Sequence, residues 1–100
     1  MAVVLSMRWA GVTPEQYDAV RELVQWEEHW ADGGVLHVAW FEEDALRVVD
    51  VWESQEDFEC FARDRLEAGV AKAGIVGEPE VTFWPLHRRM VPPGVTGAAS

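Results

Sequence analysis

Four segments of this 100-residue chain have the length and residue types of β-strands, and all four carry apolar side chains on both faces. They are residues 2–9, 35–41, 46–52 and 80–87. A sheet with one face in water shows polar residues at every second position of its strands. Only two other segments have helical patterning, and two helices cover one side of a four-stranded sheet. The sequence therefore predicts a sheet whose second face needs another cover.

The two helices are placed by their capping signals. The first is predicted to begin after Thr13, where a capping box precedes an apolar stripe, and to continue to about position 32. The second is predicted to begin after Ser54 and to end at Gly74. The order β-α-β-β-α-β is that of the α+β ferredoxin-like fold, with a four-stranded antiparallel sheet and both helices on one face.

The uncovered second face predicts self-association. Leaving it in water would expose more contiguous apolar surface than a monomer usually does. Two sheets packed face to face remove this surface, and a twofold homodimer is the commonest way to bring them together. We therefore expect a homodimer of one domain, residues 1–90, followed by a flexible C-terminal tail, residues 91–100.

Composition excludes several classes of function. The net charge of −10 disfavours partners such as nucleic acids and anionic membranes, which bind basic surfaces. The single cysteine, Cys60, cannot form an internal disulfide. The three histidines lack the spacing of metal ligands, and no glycine-rich phosphate loop follows a strand, so neither a metal nor a cofactor is predicted. No segment approaches the roughly 20 apolar residues of a membrane span, and a cytoplasmic protein is expected.

The junction between the third strand and the second helix carries a family resemblance. A strand that ends in VWES at positions 51–54, followed by a helix bearing Phe58, resembles the dimeric α+β barrel superfamily, and within it the antibiotic biosynthesis monooxygenase-like group. The resemblance extends from residue 2 to about residue 90. It implies a homodimer whose sheets close a barrel, with a ligand cavity between the helices and the sheet of each subunit. Members of the group include cofactor-free oxygenases of polycyclic phenols, haem-degrading enzymes and isomerases.

The residues that distinguish the branches of this group are only partly present. The haem-degrading branch uses an Asn on the first strand and a Trp and a His on the second helix, and those helix positions fall at Phe61 and Ala71 here. The cofactor-free oxygenases are associated with an Asn, a Trp and an Arg, for which Trp52 and Arg8 are the conceivable counterparts. Because the chain has no asparagine, haem degradation is disfavoured and the oxygenase motif is incomplete.

Polar residues on the otherwise apolar strands are the candidate catalytic residues. They are His37, Asp50 and Arg8. A buried Asp is costly unless it is paired, so either Arg8 or His37 is expected to pair with Asp50. His37 would then serve as a base toward a phenol or ketone. The alternative is a purely structural ion pair.

The predicted substrate pocket combines aromatic residues with one polar residue. Its members are Ser6, Trp26, Trp30, Trp52, Phe61 and Phe83. Trp26 and Trp30 could gate a flat ligand or fasten a loop to the sheet, and tryptophans in general also serve core and interface packing. The sequence supports two hypotheses: a cofactor-independent monooxygenase or cyclase acting on an aromatic or polyketide-like molecule, or a non-catalytic ligand-binding or structural homodimer.

Overall fold

The chain folds into one antiparallel sheet with helices against one of its faces. In a computed structural model that describes residues 1–96, the strands follow the order β2-β3-β1-β4 and every neighbouring pair is antiparallel. A π-helical turn, Ala62–Leu66, joins the last two helical segments. The elements are β1 (Val3–Ala10), α1 (Pro14–Leu23), β2 (Gly34–Glu42), β3 (Ala45–Trp52), α2 (Gln55–Phe61), α3 (Glu67–Lys72) and β4 (Glu80–Pro85). The α+β ferredoxin-like prediction is confirmed.

The first helix is shorter than its apolar pattern predicts. It ends at Leu23, and Gln25 adopts a positive φ of 53°, so the predicted continuation to position 32 is wrong. Arg65, on the π-helical turn, donates to the backbone carbonyls of Val24 and His29 and satisfies groups that a continuing helix would have bonded internally. The consequence is a loop of turns, residues 24–33, which we call the Trp26 loop.

A tight hairpin turn sets the register between β2 and β3. Glu43 and Asp44 form the two-residue turn between β2 and β3, with φ angles of 50° and 59°. Positive φ at both positions is the geometry of a type I′ turn, whose twist matches that of the flanking strands. The pairing that follows places His37 directly opposite Asp50, on the same face of the sheet. The second and third predicted strands therefore pair antiparallel through this turn.

The two faces of the sheet differ in cover. The helices pack on the face that carries Leu5, Asp50 and Trp52, and the hydrophobic core lies between them. The other face, which we call the open face, retains four large apolar side chains that are more than a third exposed in the single chain. They are Leu36, Val38, Trp40 and Trp84.

Within residues 1–96, no helix combines the length and the apolar character needed to cross a bilayer. Residues 91–96 contain no helix or strand, and the last four positions of the predicted tail, 97–100, lie outside the described residues. A flexible tail beyond residue 90 stays a prediction.

Candidate functional site

Four side chains form a continuous line of hydrogen bonds beneath the helices. The Tyr17 hydroxyl lies 2.6 Å from His37 Nε2, and His37 Nδ1 lies 2.7 Å from Asp50 Oδ1. The indole N–H of Trp52 donates to the second oxygen of Asp50 at 3.0 Å. We call these four residues the polar chain. Both ring nitrogens of His37 and both carboxylate oxygens of Asp50 therefore have a partner.

Local sequence features bring the members of the polar chain together. The hairpin register aligns His37 with Asp50, and Trp52 lies two residues further along β3, so its side chain points to the same face. Tyr17 comes from the first turns of α1, whose start is fixed by the capping box between Thr13 and Gln16. The fold thus brings side chains from two strands and one helix together around one partly buried histidine.

The hydrogen bonds of the polar chain match one tautomer of a neutral His37. Asp50 is 3% exposed, and a buried carboxylate is tolerated only when donors surround it. When the carboxylate accepts from Trp52 and from Nδ1–H of His37, the lone pair of a neutral imidazole lies on Nε2, where it accepts the Tyr17 O–H. Burial, and then the negative charge of Asp50, raise the pKa of Tyr17 to about 12. In this tautomer the carboxylate orients the imidazole by Nδ1 and leaves the lone pair of Nε2 on the other side, which is the arrangement of a general base.

The raised pKa predicts an alkaline titration that can be followed in isolation, because Tyr17 is the only tyrosine of the chain. The folded protein should ionise Tyr17 with a midpoint near 12 rather than at the ordinary value of 10.0, measured by the absorbance of tyrosinate at 295 nm. Since the pKa is raised on folding, the stabilising contribution is complete below pH 10 and is lost as the pH rises through 12. Tyr17→Phe should abolish the transition, and a midpoint at 10 in the folded protein would contradict the burial of the Tyr17 hydroxyl near Asp50.

A small cavity lies against the polar chain, between α1 and the sheet. Its volume is about 60 Å³, and its lining is apolar except at Tyr17, His37, Asp50 and the edge near Arg21. One water needs roughly 10–15 Å³ by this measure, whereas ligand pockets measure about 300–1,000 Å³. The cavity as it stands has room for a few water molecules only. A bicyclic ligand would need lining side chains to move.

The Trp26 loop forms one wall of this cavity. The Trp26 ring lies 4.4 Å from the His37 ring, centroid to centroid, and meets Phe61 edge to face at 5.1 Å. Its indole nitrogen is buried and has no hydrogen-bond acceptor within residues 1–96. Arg65 holds the loop by its two backbone carbonyls and also lies over the Phe61 ring. The position of Trp26 is therefore determined by the second helical region as well as by its own loop.

The structure brings together part of the predicted site. His37 and Asp50 form the pair that was one of two expected alternatives, and Trp26 lines the cavity. Trp52 is a member of the polar chain rather than a wall of the cavity. Trp30 is 42% exposed and donates to the Gly34 carbonyl at 2.6 Å, so it fastens the loop to β2.

The two predicted phenylalanines lie in the aromatic packing around the site. Phe61 contacts Trp26 and Trp52, with centroid distances of 5.1 Å and 5.6 Å. Phe83 packs against Phe58 at 5.8 Å. Neither lines the cavity, and both support the residues that do.

The expected roles of Arg8 and Ser6 need correction. The register between β1 and β3 places Leu5, not Arg8, opposite Asp50. Because side chains alternate between faces, Arg8 and Ser6 point to the open face, away from the cavity. Arg8 there approaches Glu80 at 3.7 Å, and the alternative pair of Arg8 with Asp50 is not formed.

Sequence reasoning missed the hydroxyl at the end of the polar chain. Tyr17 belongs to the apolar stripe that predicts α1 from the sequence, yet its hydroxyl contacts His37. A buried tyrosine needs a partner for its O–H, and this requirement was the available signal. Arg65 was also missed, since nothing local to it indicates that it binds carbonyls 41 and 36 residues away.

Metal-binding geometry is not found in the part of the chain that the structure describes. No three His, Cys, Asp or Glu side chains among those residues are grouped so that they could hold a metal ion. The expectation of a site without metal or cofactor stays a prediction.

Comparison with known proteins identifies the fold. No family model matches the chain, and no curated protein matches it. Among solved structures, a candidate antibiotic biosynthesis monooxygenase from Caulobacter crescentus is similar with a TM-score of 0.68 and 15% identity, covering 87% of this chain and 91% of that one. SnoaB, a cofactor-independent oxygenase from Streptomyces nogalater, is similar with a TM-score of 0.64 and 13% identity over 89% of this chain and 96% of that one.

A third similar structure contains a ligand. The monooxygenase from the gene ActVA-Orf6 of Streptomyces coelicolor, in complex with nanaomycin D, gives a TM-score of 0.60 at 19% identity, covering 91% of this chain and 92% of that one. At these identities the likeness establishes the fold. The resemblance predicted from the sequence is confirmed at that level: the chain has the ferredoxin-like fold of the antibiotic biosynthesis monooxygenase-like proteins.

Proposed function

We propose that the chain binds a small aromatic molecule and oxidises it with dioxygen, without a cofactor, using His37 as the base. The observation that carries this proposal is the hydrogen-bonded pair of buried Asp50 and partly buried His37, whose imidazole lines the cavity. A cavity with apolar walls and a few convergent polar groups is the usual form of a ligand-binding site. Similar structures that are oxygenases, SnoaB and the ActVA-Orf6 protein, support the same chemistry. A cyclase acting on a polyketide-like molecule would need the same base but would consume no dioxygen.

The proposed reaction begins with one proton transfer. His37 Nε2 takes the proton of the phenol hydroxyl, and Asp50 stabilises the imidazolium that forms. Tyr17 must release its hydrogen bond to Nε2 for this step, so it is the residue that the substrate hydroxyl displaces. The resulting phenolate is electron-rich at its ring carbons, which makes it the electron donor toward dioxygen.

The remaining steps balance without another reactant. Dioxygen forms a C–O bond with the ring carbon para to the hydroxyl, and the proton returned by His37 gives a hydroperoxide. Removal of the hydrogen on that carbon breaks the O–O bond and expels hydroxide, which takes up a proton and leaves as water. In sum, phenol and dioxygen give quinone and water, and the four electrons that dioxygen accepts come from the ring.

The size of the cavity favours a second candidate, a non-catalytic homodimer. A volume of about 60 Å³ is smaller than the pockets that enclose aromatic ligands. In that case the Asp50–His37 pair would be structural, one of the hydrogen-bonded polar networks that fix a single core arrangement. The two candidates differ in whether any aromatic ligand enters the cavity.

Binding and oxygen uptake with one probe distinguish the candidates. We expect 1-naphthol to quench the tryptophan emission and to be converted to 1,4-naphthoquinone with one dioxygen consumed per molecule, measured by an oxygen electrode and by chromatography. His37→Gln should bind the probe and consume oxygen at least roughly 10²-fold more slowly. Binding without oxygen uptake would overturn the oxygenase proposal, and absence of binding would favour the structural alternative. Unchanged uptake in His37→Gln would refute the base assignment.

We also propose that two copies pack through their open faces. The support is the exposed apolar surface on that face and a buried polar atom: Nε of Arg47 has no acceptor within residues 1–96. Arg47 lies over the Trp40 ring at 5.6 Å on the same face, and a second copy can supply the missing acceptor. Twofold association brings each apolar patch against its own copy.

A single lysine on the open face should separate the copies. Val38 is 46% exposed in the single chain, so Val38→Lys costs the monomer little, but in the packed dimer it buries a charge close to Arg47. We expect analytical ultracentrifugation at about 10 µM to give twice 11.3 kDa for the wild type and 11.3 kDa for the variant, with the dissociation constant raised roughly hundredfold or more. Val76→Lys, at a position that is 82% exposed between α3 and β4, is the matched control and should stay dimeric. A folded wild-type monomer at this concentration would contradict the proposal.

A further inference from the structure

The Trp26 loop is a wall of the cavity that contains neither helix nor strand. It consists of turns and bends, and Gln25 takes a positive φ of 53° near its start. Most of its residues are exposed, whereas the Trp26 ring lies against His37 and lines the cavity. A segment with few buried contacts and an exposed backbone opens at a lower free energy than the core strands of the same protein.

Two side chains from neighbouring elements bond to this loop. Arg65, on the π-helical turn, donates to the carbonyls of Val24 and His29, the second at 2.6 Å. Arg21, on α1, pairs with Glu27. The pair of Arg21 and Glu27 is partly in water, where ion pairs contribute little to stability, so Arg65 supplies the stronger restraint.

The closed position of the loop has an energetic cost of its own. The indole nitrogen of Trp26 is buried and has no acceptor within residues 1–96. A buried donor without a partner has lost its hydrogen bond to water and gained none from the protein. Opening the loop returns this N–H to water. The closed position therefore depends on the bonds from Arg65 and on the contacts of the Trp26 ring with His37 and Phe61.

We propose that the Trp26 loop is a lid over the cavity and that Arg65 is the positioning residue that holds it closed. One planar guanidinium bonds two carbonyls of the loop and also lies 5.0 Å from the centre of the Phe61 ring, on which Trp26 packs. Outward movement of the loop uncovers one face of His37 and enlarges the closed cavity of about 60 Å³. The inference goes beyond the proposed function, because it concerns the entry of any small molecule, whether or not that molecule reacts.

Hydrogen exchange of two indole N–H groups in the wild type tests whether the lid opens by itself. Trp26 and Trp52 carry the same chemical group, but Trp52 is bonded to Asp50 in the core. In ¹⁵N-labelled protein, with each resonance assigned by its loss in the Phe variant, Trp26 should exchange at least roughly tenfold faster than Trp52. Low urea should accelerate the exchange of Trp52 but not of Trp26, since a local opening exposes little surface. Equal rates with equal urea dependence would overturn the lid.

Three substitutions on one turn test the role of Arg65. Arg65→Met removes both hydrogen bonds, so the exchange of the Trp26 N–H should become roughly tenfold to hundredfold faster. Arg65→Lys retains one charged donor and should give an intermediate rate. Arg63→Met removes an exposed arginine from the same turn and should leave the rate unchanged. Trp52 reports global stability in the same samples, and an equal acceleration of both indoles by Arg65→Met would overturn the positioning role.

Chemical modification tests whether this opening uncovers His37. Diethyl pyrocarbonate modifies histidines, and peptide mapping separates His37 from the exposed His87. Arg65→Met should accelerate the modification of His37 roughly tenfold and leave that of His87 unchanged. An unchanged rate at His37, in a variant whose Trp26 exchange is accelerated, would overturn the lid. None of these measurements uses a ligand or turnover, so failure of the lid leaves the proposed reaction standing, and failure of 1-naphthol to bind leaves the lid standing.

Discussion

Asp50→Asn is expected to lower the dioxygen uptake with 1-naphthol by roughly 10²–10⁴-fold, the range that an oriented general base contributes. The reason lies in the number of acceptors. Asp50 accepts from both Trp52 and His37, whereas an asparagine has a single acceptor oxygen. If that oxygen accepts from the buried indole of Trp52, the amide NH₂ faces His37 Nδ1 and moves the imidazole proton to Nε2. The base then has no lone pair toward the substrate.

The measurement compares binding and turnover in the same variant. Asp50→Asn should retain quenching of the tryptophan emission by 1-naphthol and lose oxygen uptake, because the amide replaces the carboxylate with little change in volume. Asp64→Asn, which removes a solvent-exposed carboxylate from the π-helical turn, should leave the rate unchanged. A rate within threefold of the wild type in Asp50→Asn would show that His37 does not act through this carboxylate.

Trp52→Ala is expected to lower the free energy of unfolding by about 3–5 kcal/mol, the usual cost of removing a large buried aromatic ring. Trp52 is 2% exposed and packs on Phe58 and Phe61 at 5.4 Å and 5.6 Å. The variant also removes a donor from the buried carboxylate of Asp50, which adds to the loss. Since a domain of this size has a total stability of about 5–15 kcal/mol, much of that margin would disappear.

Trp52→Phe separates the two parts of this effect. The phenyl ring keeps most of the packing but has no N–H, so we expect a smaller loss of about 1–3 kcal/mol, which reports the unsatisfied oxygen of Asp50. Urea denaturation followed by the emission of the remaining five tryptophans measures both variants. A loss below about 1 kcal/mol in Trp52→Ala would contradict a tightly packed core at this position.

Predictions from local signals were largely accurate. The cap at Thr13 and the short acidic turn at Glu43–Asp44 define the start of α1 and the β2–β3 hairpin. Such signals act within a few residues, so they can be read without knowing the fold. The hairpin also fixes its own register, which places His37 opposite Asp50.

Predictions that depend on distant contacts were incomplete. The apolar stripe of α1 continues past Leu23, yet the helix ends there and Arg65 binds the carbonyls of Val24 and His29 in the turns that follow. The face on which Arg8 lies depends on the register of β1 with β3. A change of that register by one residue would move every side chain of β1 to the other face of the sheet. Neither contact has a local signature.

The sequence by itself determined the order of the elements, the hairpin and the presence of a buried carboxylate that required a partner, because periodicity, caps and turns are properties of neighbouring residues. Only the tertiary structure decided which partner Asp50 has, that Tyr17 completes the polar chain, and that Trp26 closes the cavity with an unpaired N–H. The physical reason is that these contacts join residues from β2, β3, α1 and the Trp26 loop, and their geometry exists only after the strands have paired and the helices have packed.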